Sequence, residues 1–323
     1  MIEITTTNKI LKTNKHFVNH FLEMKSKNSK NTAIAYKNDI LEFFNVNEIE
    51  VLTINDFIKV NFINAEEYIL ELTKKGLSSA TINRKISSLS SIYNWLMKFN
   101  DNASGKALIM FNPFTNLKEE RPVINSKETQ FLTKEECEKL LNSFNINDLL
   151  QLRNKTIIAL ALTTALRKSE IINIKIKDVT TSGEYDIIKV IRKGGKNDLV
   201  KLQKGVKNLI EQYVLQSGRD FIVNQDDYLF IGHSNRNNIS AKLSPNTLNY
   251  MIDKVCKDVG ITKKICFHST RHTAITLAIV NGANIHNVKE LAGHANISTT
   301  NRYIHNINKL KNSATDSILF EAI

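Results

Sequence analysis

The sequence predicts a mainly α-helical chain of two domains, with a small β-hairpin or sheet in the second. Three observations carry this expectation. Apolar residues recur at helical spacing through most of the 323 positions. One polar stretch, residues 118–131, has no such period and contains Pro122, as an interdomain linker does. Two β-rich runs flank the Gly194-Gly195 pair, the pattern of a hairpin. At roughly 150 residues per domain, the length also argues for two domains.

Taken in order, Thr32-Ala-Ile-Ala-Tyr36 through Ile40, Phe43 and Phe44 repeats apolar residues at helical spacing, with Thr32 placed as the N-cap. Ser78 to Phe99 does the same, with Ile82, Ile86, Leu89, Ile92, Tyr93 and Leu96 on one face and Arg84 and Lys85 on the other. At least two further helices fall between Phe17 and Leu72. The first domain, 1–117, therefore reads as all-helical, ending near Asn112-Pro113, where proline disfavours helix at the preceding residue. After the 118–131 linker, Thr133 and Glu136 form an S/T-x-x-E capping box that opens the second domain. Arg153 to Leu166 is nearly all apolar and predicts a central buried helix. Tyr185–Ile191 and Leu199–Leu202 are the hairpin strands, joined by the Arg192–Asn197 turn. Helices resume at 205–216, 246–259, 269–281 and 285–292.

Composition narrows the function. Hydrophobic residues make up 42%, with only 11 Gly and 3 Pro, which excludes collagen-like and wholly disordered chains. The formal charge of +12 favours an anionic partner. Residues 1–126 hold 16 basic and 13 acidic side chains and residues 127–323 hold 28 and 19, so the second domain is the stronger candidate for polyanion contact. Cys137, Cys256 and Cys266 are odd in number and lack C-x-x-C spacing, so neither a disulfide framework nor a zinc-finger array is expected, and a reducing cytoplasm fits. The N-terminus has no signal-peptide h-region and no stretch reaches the ~18 apolar residues of a membrane span. Nucleic acid, not membrane, is the expected partner.

Four polar clusters interrupt this apolar context: Arg167, the Lys193–Lys196 turn, His268-x-x-Arg271-His272, and Gly293-His294 followed nine positions later by Tyr303. Each alone has an ordinary reading. Arg167 pairs with Glu170 three positions on, a basic Gly-rich turn is a solvated hairpin tip, Gly293-His294 is a helix C-cap, and Tyr303 is a buried aromatic. His268 and His272 have i, i+4 spacing suited to zinc, yet the glutamate of H-E-x-x-H is absent.

Together, in this order, the clusters resemble the tyrosine recombinase (phage integrase) family, whose signature runs Arg, hairpin Lys, His-x-x-Arg, Gly-His, Tyr. ALRKSEI is similar to its first box, CFHSTRHTAIT to its second and LAGHANISTTNRYIH to its third. Thr32-x-x-Ala35-Tyr36-x-x-Asp39-Ile40-x-x-Phe43 and Thr81-Ile-Asn83-Arg84-Lys85 resemble the family's core-binding domain. Two positions depart: Ala165 stands where glycine is common, and Thr270 where an apolar residue precedes the second arginine.

The resemblance implies a two-domain DNA clamp: a helical core-binding domain (1–117), a catalytic domain (132–303) and a tail (304–323) for contact between protomers. It implies metal-free and ATP-free cleavage of duplex DNA, with no cofactor. Tyr303 is the expected nucleophile and Arg167 and Arg271 the phosphate clamp. Lys193 is the expected general acid, with Lys196 the alternative. By resemblance more than by spacing, His268 is a base or relay and His294 a phosphate donor. Glu170 either supports the site or makes an ordinary helix ion pair.

The expected partners are double-stranded DNA carrying a specific site, three further copies in a homotetramer on two duplexes, and a DNA translocase as activator. The cytoplasm, at the nucleoid, is the expected location. Because the core-binding pattern starts near residue 13, little room is expected for an arm-binding domain, which points to Xer-type dimer resolution or small mobile elements. A type IB topoisomerase and a non-catalytic DNA-binding regulator are the competing functions. Arg84, Lys85, Arg236, Asn237, Asn238 and Lys242 are candidates for groove contact, against the plainer reading of solvated helical faces.

Overall fold

Residues 4–6, 9–11, 16–27, 29–101, 105–117, 119–124, 129–233, 242–301 and 303 are described in a computed structural model of the chain. They fall into two units, Met1–Lys127 and Glu128–Ile323. None of their helices is long and apolar enough to cross a membrane.

The first unit is not all-helical. Strands β1 (Ile4–Thr6) and β2 (Lys9–Leu11) pair antiparallel, and β1 also pairs with β3 (Asn100–Asp101). Strands of two and three residues are too short to leave an alternating pattern, which is why the sequence conceals them. The described α-helices of this unit are α1 (Phe17–Ser26), α2 (Lys30–Phe44), α3 (Ile54–Ile58), α4 (Phe62–Lys74) and α5 (Ser79–Leu96), with a short 3-10 turn at Ile49–Val51. Helix α2 starts earlier than expected. Its cap is Ser29, whose hydroxyl accepts the Thr32 N–H at 3.3 Å, so Thr32 lies in the first turn.

Helix α5 follows its period, and Ile82, Ile86, Leu89, Ile92, Tyr93 and Leu96 are all buried. Lys85 is an exception to the expected polar face. It is buried, with its ammonium on Glu42 Oε2 at 2.5 Å and Asp39 Oδ1 at 3.3 Å. Arg84 forks onto the two Asp39 oxygens at 2.5 and 3.0 Å. A carboxylate as buried as Asp39 must be paired, and α5 supplies both cations.

Two described residues of the 118–131 segment, Pro122 and Gln130, are held by hydrogen bonds. Asn83 donates to the Pro122 carbonyl at 2.9 Å in the first unit. In the second, Gln130 accepts the Lys264 N–H at 2.6 Å.

The second unit opens with α6 (Lys134–Asn142), and the Thr133–Glu136 capping box is formed at 3.2 and 2.7 Å. Helix α7 (Leu149–Thr164) runs through its core, with Leu152, Ile157, Ile158, Leu160 and Ala161 buried. Arg153 is buried there too, and donates to the Ile231 carbonyl at 3.0 Å. After the four-residue α8 (Lys168–Ile171) comes an antiparallel sheet of β4 (Val179–Ser182), β5 (Tyr185–Ile191) and β6 (Asn197–Lys201) in that order. The expected hairpin is β5–β6, and β4 adds a third strand. Helices α9 (Lys204–Gln216), α10 (Pro245–Asp258), α11 (Phe267–Val280) and α12 (Ile285–Ala292) complete the described fold, with α7 packed against α9 and α11.

Candidate active site

Helix α12 ends at Ala292, and Gly293 follows in the left-handed conformation with φ +58°. A helix leaves its last carbonyls without intrahelical partners and its C-terminal end negative. Here three consecutive carbonyls are met by guanidiniums from three different elements. Arg192 Nη2 donates to Leu291 O at 3.0 Å, Arg271 Nη2 donates to Ala292 O, and Arg167 Nη2 donates to Gly293 O at 3.2 Å. The end of α12 is thus the frame on which the site is built.

Each arginine is also held from its own side. Arg167 stands at the start of α8, where Glu170 accepts its backbone N–H and its Nη1, both at 2.8 Å. Its side chain stays 30% exposed, so the fork retains a face toward solvent. Arg271 is buried on α11 and donates to the Ala165 carbonyl at 2.6 Å. Burial, and then the neighbouring Arg167 charge, push its pKa down to about 10, which still leaves a cation at neutral pH. Small residues allow this closeness: Ala165, Ala274 and Ala292 pack together with Ile275 and Val288.

The two departures from the family pattern are explained here. Ala165 has φ +52° and caps the end of α7, a conformation glycine adopts without strain. Thr270 is fully buried and donates to the Phe267 carbonyl at 2.8 Å, so its hydroxyl is spent within the helix and its methyl packs as an apolar group would.

Tyr303 packs against the alanine-rich cluster, half-buried. Burial pushes its phenol pKa up, and the Arg271 charge pulls it partly back. Two imidazoles face the ring: His272 at a centroid distance of 5.2 Å and His294 at 6.4 Å, the latter stacked. His268 makes an edge contact with His272 at 4.7 Å, so His272 has ring contacts with both His268 and Tyr303. Burial, then nearby positive charge, push His294 down to about 4; burial, His268 and Arg271 do the same for His272. His268 is lowered as well, by desolvation and by Arg271 and Arg167. All three are neutral at pH 7. His294 Nδ1 lies 2.9 Å from Thr300 Oγ1; with that hydroxyl donating, Nε2 carries the ring proton and can donate to an anion.

Lys193 and Lys196 are both exposed in the β5–β6 turn, where Gly194 and Gly195 take φ +86° and +80°. The turn is closed by the Arg192 N–H donating to Lys196 O at 2.7 Å and by the Gly195 N–H donating to Arg192 O at 3.1 Å.

Arg192, Asp198 and the His272–Tyr303 contact were not expected from the sequence. The signal for Arg192 lies in strand alternation: Val190 is buried and Ile191 exposed, which turns residue 192 inward and Lys193 outward. The described groove candidates each have partners within the chain. Arg84 and Lys85 are partners of Asp39 and Glu42, and Lys242 bonds Asn173 and stands 5.2 Å from the Tyr228 ring. Arg236, Asn237, Asn238 and the 304–323 tail lie outside the described residues.

Comparison with known proteins places this geometry. Residues 130–309 match the model of the phage integrase family, and residues 16–100 that of the phage integrase N-terminal SAM-like domain. The tyrosine recombinase XerC of Listeria welshimeri serovar 6b is 32% identical over 298 residues, covering 91% of this chain and 93% of that one. A tyrosine recombinase of Pseudothermotoga lettingae is 30% identical over 91% of this chain and 93% of its own length. Among solved structures, the fold is similar to the XerH site-specific recombinase bound to palindromic difH substrate, with TM-score 0.65, 22% identity and coverage of 80% of this chain and 72% of that one. It is similar also to the Tn1549 transposon integrase in complex with circular intermediate DNA, with TM-score 0.65, 19% identity and coverage of 88% and 93%. The chain belongs to the phage integrase family and is a tyrosine site-specific recombinase.

Proposed function

We propose that this chain cuts and rejoins duplex DNA at a specific site, with Tyr303 as nucleophile and fixed cations in place of metal ions or ATP. The observation that carries the reading is the convergence of Arg167 and Arg271 on the end of α12, with Tyr303 packed beside them. Both guanidiniums stay ionised and present planar forks, which suits them to the charge that builds on the non-bridging oxygens of a phosphodiester in the transition state.

In the proposed step the Tyr303 oxygen attacks phosphorus, and its proton passes to the neutral imidazoles of His272 and His268. The P–O5′ bond breaks, Lys193 Nζ gives its proton to the leaving 5′-oxygen, and a 3′-phosphotyrosine and a free 5′-hydroxyl result. His294 donates from Nε2 to a phosphate oxygen. Attack by a 5′-hydroxyl reverses the step on the same or a partner strand, so no energy source is consumed. Exchange between two duplexes needs four nucleophiles, and a tetramer of this chain supplies them. The first unit and the second hold the duplex as a clamp, mainly through phosphates, so affinity falls steeply with salt. Resolution of replicon dimers under a DNA translocase, or movement of a small mobile element, are the settings that fit such a protein.

The test is an adduct assay on fragmented DNA from the source organism in EDTA. SDS-resistant protein–DNA adducts are collected, and the joined fragments are sequenced to give the site. The wild type forms adducts at one sequence and Tyr303→Phe forms none; recombined products from two such sites separate strand exchange from mere relaxation of supercoils. Failure to form adducts on its own genomic DNA, or adducts that persist in Tyr303→Phe, would overturn the reading.

A further inference from the structure

We infer that Arg192 is a positioning residue of this site: it locks the turn carrying Lys193 onto the arginine clamp, so that the acid and the clamp act on one phosphate. The inference rests on the reading of Lys193 as the general acid.

The side chain of Arg192 is buried and reaches three separate elements. Nε donates to Asp198 Oδ2 on β6 at 2.9 Å, Nη1 to Glu170 Oε2 on α8 at 3.1 Å, and Nη2 to the Leu291 carbonyl on α12 at 3.0 Å. Glu170 is the carboxylate that fixes Arg167, so one buried acid joins the hairpin and the clamp. Asp198 closes the hairpin from its opposite strand. Gly293 confirms the tightness: a Cβ there would stand 3.0 Å from Arg192 Nε and 3.1 Å from its Cδ and Cζ.

Among the described residues, Lys193 itself has no such anchor. It is exposed on a two-glycine turn, and a lysine on a free turn spreads over many positions. A proton donor must reach within hydrogen-bonding distance of the leaving oxygen when the bond breaks. The covalently adjacent residue, pinned at three points, supplies that order. Arg192 touches no reacting atom in this account; its effect passes through Lys193.

The test separates positioning of the acid from support of the fold. Single-turnover cleavage is measured on two duplexes of the mapped site, one natural and one with sulfur replacing the bridging 5′-oxygen at the scissile phosphate. A thiolate leaves without protonation, so the sulfur duplex bypasses the acid. Lys193→Ala is expected to slow the natural duplex about 10³-fold and the sulfur duplex only a few-fold. Arg192→Gln and Arg192→Lys should show the same split, with a loss of about 10²-fold on oxygen and under about fivefold on sulfur. Adding Arg192→Lys to Lys193→Ala should cost nothing more on the natural duplex, because both changes remove one function.

An equal loss on both duplexes, with Lys193→Ala still rescued by sulfur, overturns the role of Arg192 alone. Loss of the folded state in both Arg192 variants, judged by circular dichroism, also overturns it, since the residue would then serve the fold. If Lys193→Ala itself is not rescued, the reading of Lys193 fails and the inference falls with it.

Discussion

Each unit of this protein builds an ionic cluster around a buried carboxylate, Asp39 in the first and Glu170 in the second, and the two clusters balance differently. In the first unit, Asp39 and Glu42 face Arg84 and Lys85, two charges of each sign, and every carboxylate is matched. In the second, Glu170 and Asp198 face Arg167 and Arg192, and Arg271 lies alongside, its guanidinium donating to the backbone carbonyls of Ala165 and Ala292. The first cluster is closed and welds α2 to α5. The second has one positive charge in excess, held in place by the negative end of α12. A cluster that neutralises itself stabilises; a cluster with a cation left over is ready for an anion.

This difference predicts a crossing of phenotypes. The largest effect is expected in the second cluster: Arg271→Ala should cut single-turnover cleavage at least about 10³-fold, and Arg167→Ala by about as much, the latter with Tm within about 3 °C of wild type because its side chain is part-exposed. Next comes the first cluster. Asp39→Ala leaves Lys85 buried with only Glu42 and should cost about 3 kcal/mol, near 10 °C in Tm, while the cleavage rate of the folded fraction is unchanged. A cleavage defect in Asp39→Ala without a stability defect would dissolve the contrast.

A smaller effect concerns pH. His233, His272 and His294 are held at about 4 in the folded chain, against an ordinary value of 6.5. Between these limits the unfolded chain binds more protons, so stability is full above pH 6.5 and is lost as pH falls toward 4. Discounted for solvent access, the three together should remove at least about 1 kcal/mol between pH 7 and pH 5, read by urea unfolding. The smallest effect is Ala165→Gly. Relief of about 1–2 kcal/mol of left-handed strain is offset by a lost methyl and added chain entropy, so stability should move by less than about 1 kcal/mol.

Much of this was legible in the sequence, for reasons that particular residues make clear. The apolar period of α5 and the capping box at Thr133–Glu136 are local signals that residue spacing alone carries. Arg167, His268, Arg271, His294 and Tyr303 lie in ordered motifs, and the structure brings Arg167 and Arg271 to one helix end with His294 and Tyr303 beside it. What escaped depends on tertiary context. Lys85 reads as solvent-facing until α2 places two carboxylates opposite it. Arg192 reads as one more basic residue in a basic turn, because its three partners come from three distant segments. Thr32 reads as the cap of α2 from spacing alone, and only the register of the folded helix shows that Ser29 takes that place. The short strands of the first unit left no pattern at all.

The central claim is a covalent bond between Tyr303 and DNA, made under a clamp that keeps a spare cation. It is tested most directly by digesting the trapped adduct with nuclease and protease and locating the remaining nucleotide by mass spectrometry. The account predicts a 3′-phosphonucleotide on the peptide containing Tyr303, in the presence of EDTA. A nucleotide on any other residue, or a 5′-linkage on Tyr303, would contradict it.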